Sequence, residues 1–124
     1  MTKARPLVSV VDDDESVREA LPSLLKEFGF PSQTFSSAEE FLASGEVSQT
    51  QCLILDIAMP GMSGRDLQQL LKQRQVRIPI IFLTANGDAV VRRQLLARGA
   101  ADFLLKPFTD TALLDALNLA LQNE

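Results

Sequence analysis

Short apolar runs alternate with longer stretches of helical periodicity along the whole chain. Leu7-Val8-Ser9-Val10-Val11 is the first run, Gln51-Cys52-Leu53-Ile54-Leu55 the third, Ile80-Ile81-Phe82-Leu83 the fourth and Ala101-Asp102-Phe103-Leu104-Leu105 the fifth. Short apolar runs closed by turn residues read as buried strands. Residues 30–35 form a weaker second run. Pro31 within it predicts an edge strand, because proline has no N–H to offer a neighbour. Between the first two runs, Val17, Leu21, Leu24, Leu25 and Phe28 recur at helical spacing, and Gly29 reads as the stop. Pro22 lies inside that helix, where its missing N–H predicts a kink. Ser37 and Glu40 form an S-x-x-E box ahead of Phe41 and Leu42. Residues 45–51 read as a polar loop. Ser63 caps a third helix with Leu67, Leu70 and Leu71 inward, and Asp88 a fourth with Val91 and Leu95 inward and Gly99 at its end. The last helix covers residues 110–122, with Leu113, Leu117 and Leu121 inward.

Strand and helix alternating in this way predict an α/β fold: a (βα)5, three-layer, doubly wound parallel sheet in one domain over residues 1–124. Strand order 2-1-3-4-5 puts the Pro31 strand at an edge and the first and third strands side by side. Ligands of such sheets bind beyond the carboxyl ends of the strands. The residues at those ends are Asp12, Asp13 and Asp14, then Asp56, then Thr84, then Lys106. One Asp in a loop is ordinary. Polar groups closing four strands at one edge of a sheet form a constellation.

Composition narrows the setting. The chain has 124 residues, 46% hydrophobic and 23% charged, which suits one soluble globular domain. A net charge of −4 argues against this domain gripping nucleic acid through phosphates. No apolar stretch reaches membrane-span length, and no long apolar region follows the first six residues as a signal peptide requires. The single cysteine, Cys52, sits in an apolar run and reads as a buried, inert thiol; a cytoplasmic location is expected. With no His, the chain holds no Ser-His-Asp triad, Cys-His pair or His-ligated zinc. Neither a G-x-G-x-x-G nor a G-x-x-x-x-G-K-[ST] motif is present.

Three carboxylates at one edge repel one another unless a cation joins them. An all-oxygen site offering few protein ligands suits Mg²⁺, with Mn²⁺ as the alternative. Three carboxylates, the Lys106 ammonium and one divalent cation balance in formal charge. A carboxylate can attack phosphorus to give an aspartyl phosphate, while Lys106 and a metal neutralise the phosphoryl oxygens and Thr84 donates a hydrogen bond.

The motifs Val11-Asp12-Asp13, Asp56 with Met59-Pro60 and Met62-Ser63-Gly64, Thr84-Ala85, and Phe103 with Lys106-Pro107-Phe108 occur in that order at strand ends. In these residues, and over nearly its whole length, the sequence resembles the receiver domains of bacterial two-component response regulators, close to the FixJ-like group with LuxR-type output. The resemblance implies a CheY-like fold with Asp56 as phosphoacceptor. It implies Mg²⁺ held by Asp13 and Asp56, by Asp12 mainly through water, and by the Ala58 carbonyl. Thr84, Ala85 and Lys106 would contact the phosphoryl group, with a cis bond before Pro107. Thr84 and Phe103 would form a switch, the hydroxyl moving toward the phosphoryl group and the ring turning inward; a plain core aromatic is the other reading of Phe103. Asp14 and Glu15 serve the first helical turn. Many relatives carry a longer, often basic, side chain at the position of Ala58. Ala58 and Asn86 occupy the sites that tune phosphoryl lifetime in the family.

The implied partner is a sensor histidine kinase, which supplies the histidine this chain lacks. Output is expected through a DNA-binding domain, separate or trimmed, or through protein contacts of a single-domain regulator. A haloacid-dehalogenase-type phosphatase also uses an Asp nucleophile and Mg²⁺, but it needs a second Asp where this chain has Ala58. A phosphate-independent interaction module is a third reading, against which the intact acidic set argues. Leu96 and Leu119 fall off the inward stripes of their helices. They are either scattered surface leucines or part of a phosphorylation-promoted dimer face on the fourth helix, fifth strand and fifth helix.

Overall fold

Each apolar run becomes a strand in the computed structural model, which describes residues 6–85 and 87–122. The strands are β1 (Leu7–Val11), β2 (Ser32–Phe35), β3 (Thr50–Asp56), β4 (Ile80–Thr84) and β5 (Asp102–Leu105). The helices between and after them are α1 (Glu15–Glu27), α2 (Ala38–Ala43), α3 (Gly64–Gln73), α4 (Ala89–Ala97) and α5 (Asp110–Gln122). All strand pairings are parallel, in the order β2-β1-β3-β4-β5. The (βα)5 architecture and the strand order are thus those expected, but β2 begins only at Ser32, so Pro31 stands just before the edge strand and not within it.

Alternation along the strands makes two cores. Leu53 and Leu55 of β3 face one side of the sheet, with Phe41 of α2, Leu67 of α3 and Leu95 of α4. Cys52 and Ile54 face the other, with Leu21 of α1 and Leu113 and Leu117 of α5. The central strand is therefore apolar on both faces, as a covered parallel strand must be. Each such fully buried side chain stabilises the fold by about 1.5–3 kcal/mol. Cys52 is buried, and burial pushes its thiol up to about 12, so it is inert near neutral pH.

Local signals decide where the helices begin. Asp14, Ser63 and Asp88 cap α1, α3 and α4 with their side chains. At α3 the box is reciprocal: Ser63 Oγ accepts from the Asp66 amide, and the Asp66 carboxylate accepts from the Ser63 amide. At α2 the expected box is only half made. Ser37 Oγ accepts from the Glu40 amide, but the Glu40 carboxylate accepts from Ser36, one residue before the cap. The 45–51 loop contains a single 3-10 turn at Val47–Gln49 and the first residues of β3.

Two further details concern α1 and α3. α1 runs continuously through Pro22, with Leu21 and Leu25 buried on either side of it. That packing holds the helix across the backbone bond that proline cannot make. On α3, Gln68 is buried and Leu70 only half-buried, because Gly64, Leu67, Gln68 and Leu71 make up the inward stripe; the Gln68 amide nitrogen lies 3.5 Å from the Leu95 carbonyl of α4.

Candidate functional site

Strand order delivers β1 and β3 side by side, and their carboxyl ends carry the acidic groups. Asp12 is fully buried. One of its carboxylate oxygens accepts from the Asp14 amide at 2.9 Å; the other lies 2.9 Å from Lys106 Nζ. Its backbone carbonyl accepts from the Arg18 guanidinium at 2.9 Å, so α1 holds the end of β1. Asp13 is exposed at the mouth of the site. Asp14 turns away to cap α1, and the Ser16 hydroxyl and amide hold its carboxyl below the usual range.

Asp56 ends β3 and is 6% exposed, with Lys106 Nζ at 3.8 Å. Its carboxyl is pushed up to about 7, first by burial and next by the charge of Asp12, against the pull of Lys106. Lys106 is itself raised: burial works against its charged form, but the Asp12 bond and the nearby carboxylates outweigh it.

The loop after Asp56 is tied at both ends. The Ile57 amide donates to Leu83 and the Gly64 amide to the Ile57 carbonyl. A side chain at Gly64 would strike the Asp56 backbone oxygen, so only glycine lets α3 start this close to the strand end. Gly61 stands at a φ of +74°, beside the carboxylate of Glu39.

Carboxylate oxygens of Asp12, Asp13 and Asp56 all lie within 4.8 Å of one another. The donor set is all oxygen, and the buried Asp12 Oδ2, although beside Lys106, makes no aligned hydrogen bond. An acidic cluster of oxygen ligands with a single ammonium to offset three carboxylates fits a hard divalent cation such as Mg²⁺.

Thr84 is 7% exposed at the end of β4, next to the exposed Ala85. The Lys106 amide donates to the Thr84 carbonyl at 2.7 Å, and the Lys106–Pro107 bond is cis. Phe103 is already buried, 8% exposed, within the α2–α3–α4 core. Ala58 is exposed, while Asn86 lies outside the described residues.

Leu96 and Leu119 are exposed at 36% and 46%. Val90 of α4 and Leu105 of β5 are also exposed, and Leu105 packs against Gly87. Sequence reading passed over Val90 and Leu105, and equally Arg18 and Glu39. For Leu105 the available signal was its place at the end of a strand that the 2-1-3-4-5 order puts at an edge. Arg18 and Glu39 carried none, since each acts through a backbone group of another segment.

The family model for the response regulator receiver domain matches residues 8–118. The transcriptional regulatory protein TdiR of Thauera aromatica is 47% identical over 115 residues, 92% of this chain and 50% of that protein. Among solved structures, the response regulator StyR superposes with a TM-score of 0.87 at 49% identity, covering 96% of this chain and 60% of that one. FixJ-N superposes with a TM-score of 0.85 at 34% identity, covering 98% of both chains. The chain spans about half the length of the curated relatives it matches. No helix among the described residues is long and apolar enough to cross a membrane. With its strand order, its acidic cluster and its match over residues 8–118, this chain belongs to the receiver domain family of two-component response regulators.

Proposed function

We propose that this domain is a phosphorylation-activated switch in which Asp56 accepts a phosphoryl group from a sensor histidine kinase. The observation that carries this reading is the gathering of the Asp12, Asp13 and Asp56 carboxylates within 4.8 Å, with Lys106 at 2.9 Å from Asp12 and 3.8 Å from Asp56. An Asp56 oxygen attacks phosphorus, the bond to the kinase's histidine nitrogen breaks, and the imidazole leaves. Lys106 offers its ammonium to a phosphoryl oxygen, and the Thr84 hydroxyl and Ala85 amide offer hydrogen bonds. Asp13 and Asp56, the Ala58 carbonyl and Asp12 through water would hold Mg²⁺ (or Mn²⁺), which neutralises phosphoryl charge when bound. Movement of Thr84 toward the phosphoryl group would be relayed through Phe103 to α4, β5 and α5. Output would run to transcription through a DNA-binding domain, or to a downstream protein by direct contact, in the cytoplasm. The domain is not read as an enzyme beyond assisting its own phosphorylation and dephosphorylation. The test is incubation with acetyl phosphate and Mg²⁺, followed by intact mass; a wild-type domain that gains no phosphoryl group would overturn the reading.

Exposed Val90, Leu96, Leu105 and Leu119 on α4, β5 and α5 favour a homodimer through that face as the companion event. Sedimentation with beryllofluoride, a phosphoryl mimic, is expected to shift toward dimer, and Leu119→Glu to abolish the shift. An unchanged profile would leave these as isolated surface side chains.

Phosphoryl lifetime is expected to be set by water access. Ala58 is short and exposed, so it neither shields the phosphoryl group nor orients an attacking water. Asn86 can hydrogen-bond a water but is no general base. Ala58→Arg should therefore lengthen the lifetime, with Mg²⁺ affinity little changed because the ligand there is a backbone carbonyl. Decay after donor removal, at fixed Mg²⁺, measures it; equal or faster decay would refute the access argument.

A further inference from the structure

We propose that Glu39 of α2 is a positioning residue for divalent-cation binding, acting by tethering the loop that follows Asp56. The two adjacent glutamates of α2 do different work. Glu40 closes its own helix by accepting from Ser36 at 2.7 Å. Glu39 reaches 23 residues ahead, and its Oε2 accepts from the Met62 amide at 3.0 Å.

The loop between Asp56 and α3 carries Ala58, whose carbonyl is assigned to the cation. Its ends are held by backbone bonds at Ile57 and Gly64, and buried Met59 anchors the segment just after Ala58. Pro60 and Gly61 at its apex are exposed, and Gly61 has a φ of +74°. Glycine hinges readily, so an apex without an outside hold would let the Ala58–Met62 segment rock. Glu39 supplies that hold. The fit is close: a Cβ at Gly61 would lie 2.7 Å from Glu39 Oε2, so the loop backbone rests directly against the carboxylate. A carboxylate accepting from an amide is among the stronger single hydrogen bonds. Groups that orient ligands rather than bind the metal commonly matter on the order of tenfold in affinity.

This inference rests on the metal reading above, and the experiment separates the two. Mn²⁺ binding is followed by electron paramagnetic resonance on wild-type, Glu39→Ala and Glu39→Gln domains, with no phosphoryl donor present. Circular dichroism confirms that each is folded. The expected result is a loss on the order of tenfold in Glu39→Ala. Glu39→Gln should bind nearly as wild type, because its amide oxygen still accepts from Met62. Gly61→Ala, which crowds the carboxylate and also strains the loop backbone at a φ of +74°, should lose at least as much affinity as Glu39→Ala does. Amide exchange at Met62 should speed up in Glu39→Ala and Gly61→Ala only. Wild-type affinity in Glu39→Ala would overturn the tether alone. An equal loss in Glu39→Gln would also overturn it, pointing to charge instead. A wild-type domain that binds no Mn²⁺ would overturn the metal reading and the tether together.

Discussion

Asp56→Asn is expected to end phosphoryl uptake, with no phosphorylated species in the intact mass spectrum after exposure to acetyl phosphate and Mg²⁺. The substitution keeps the shape of the side chain at the end of β3 and removes the nucleophilic oxygen. Loss of a nucleophile costs on the order of 10³-fold or more in rate. Asp12 cannot take over: one of its oxygens is spent on the Asp14 amide and the other is against Lys106. Asp13 is exposed at the mouth of the site, without the desolvated surroundings that hold Asp56. Lys106→Ala should retain the nucleophile and slow uptake by about 10²-fold, the effect of losing one group that stabilises developing charge. Asp13→Ala should slow uptake strongly and be partly rescued by excess Mg²⁺ if the carboxylate serves the cation. Wild-type phosphorylation of Asp56→Asn at another residue would refute the assignment.

The same substitution should stabilise the metal-free domain, and only at higher pH. Burial and Asp12 raise the Asp56 carboxyl from 3.8 to about 7 in the folded protein. Between those values the folded state holds a proton that the unfolded state has released. Stability therefore falls as pH rises through this window, and the full cost is present above about 7. Solvent at the mouth of the site screens the effect, so a cost of about 2 kcal/mol is expected rather than the larger value of an isolated buried charge. Asp56→Asn removes it. The difference in unfolding free energy between the two proteins should grow by about 2 kcal/mol from pH about 4.5 to 8 in EDTA. Mg²⁺ should shrink the difference, because a bound cation stabilises the wild-type carboxylate. Parallel stability curves across that range would show that Asp56 titrates normally in the folded domain.

Periodicity and turn chemistry carried the architecture because they act locally. Alternating apolar runs and helical stripes predicted five βα units. Pro31, read as part of the second run, called for an edge strand, and the 2-1-3-4-5 order that the sheet adopts meets that demand and brings Asp12 beside Asp56. Caps at Asp88 and Ser63 were legible because a capping side chain bonds the backbone two or three residues on. The residue types of the site were legible too, since Asp12, Asp13, Asp56, Thr84 and Lys106 all close predicted strands.

Tertiary structure decided what depends on partners distant in sequence. That a polar side chain, Gln68, can lie in the inward stripe of α3 goes with its approach to the Leu95 carbonyl of α4, 27 residues away. The raised carboxyl of Asp56 needs the burial and the Asp12 neighbour that only the β1–β3 pairing creates. Arg18 on the Asp12 carbonyl and Glu39 on the Met62 amide bind backbone groups, which every residue has, so no side-chain pattern marks their targets. Residue types and their spacing thus determined the chemistry at the sheet edge. The tertiary contacts decided how closely its charges meet and what holds the loops that carry them, because distance and desolvation are properties of the packed chain and not of its order.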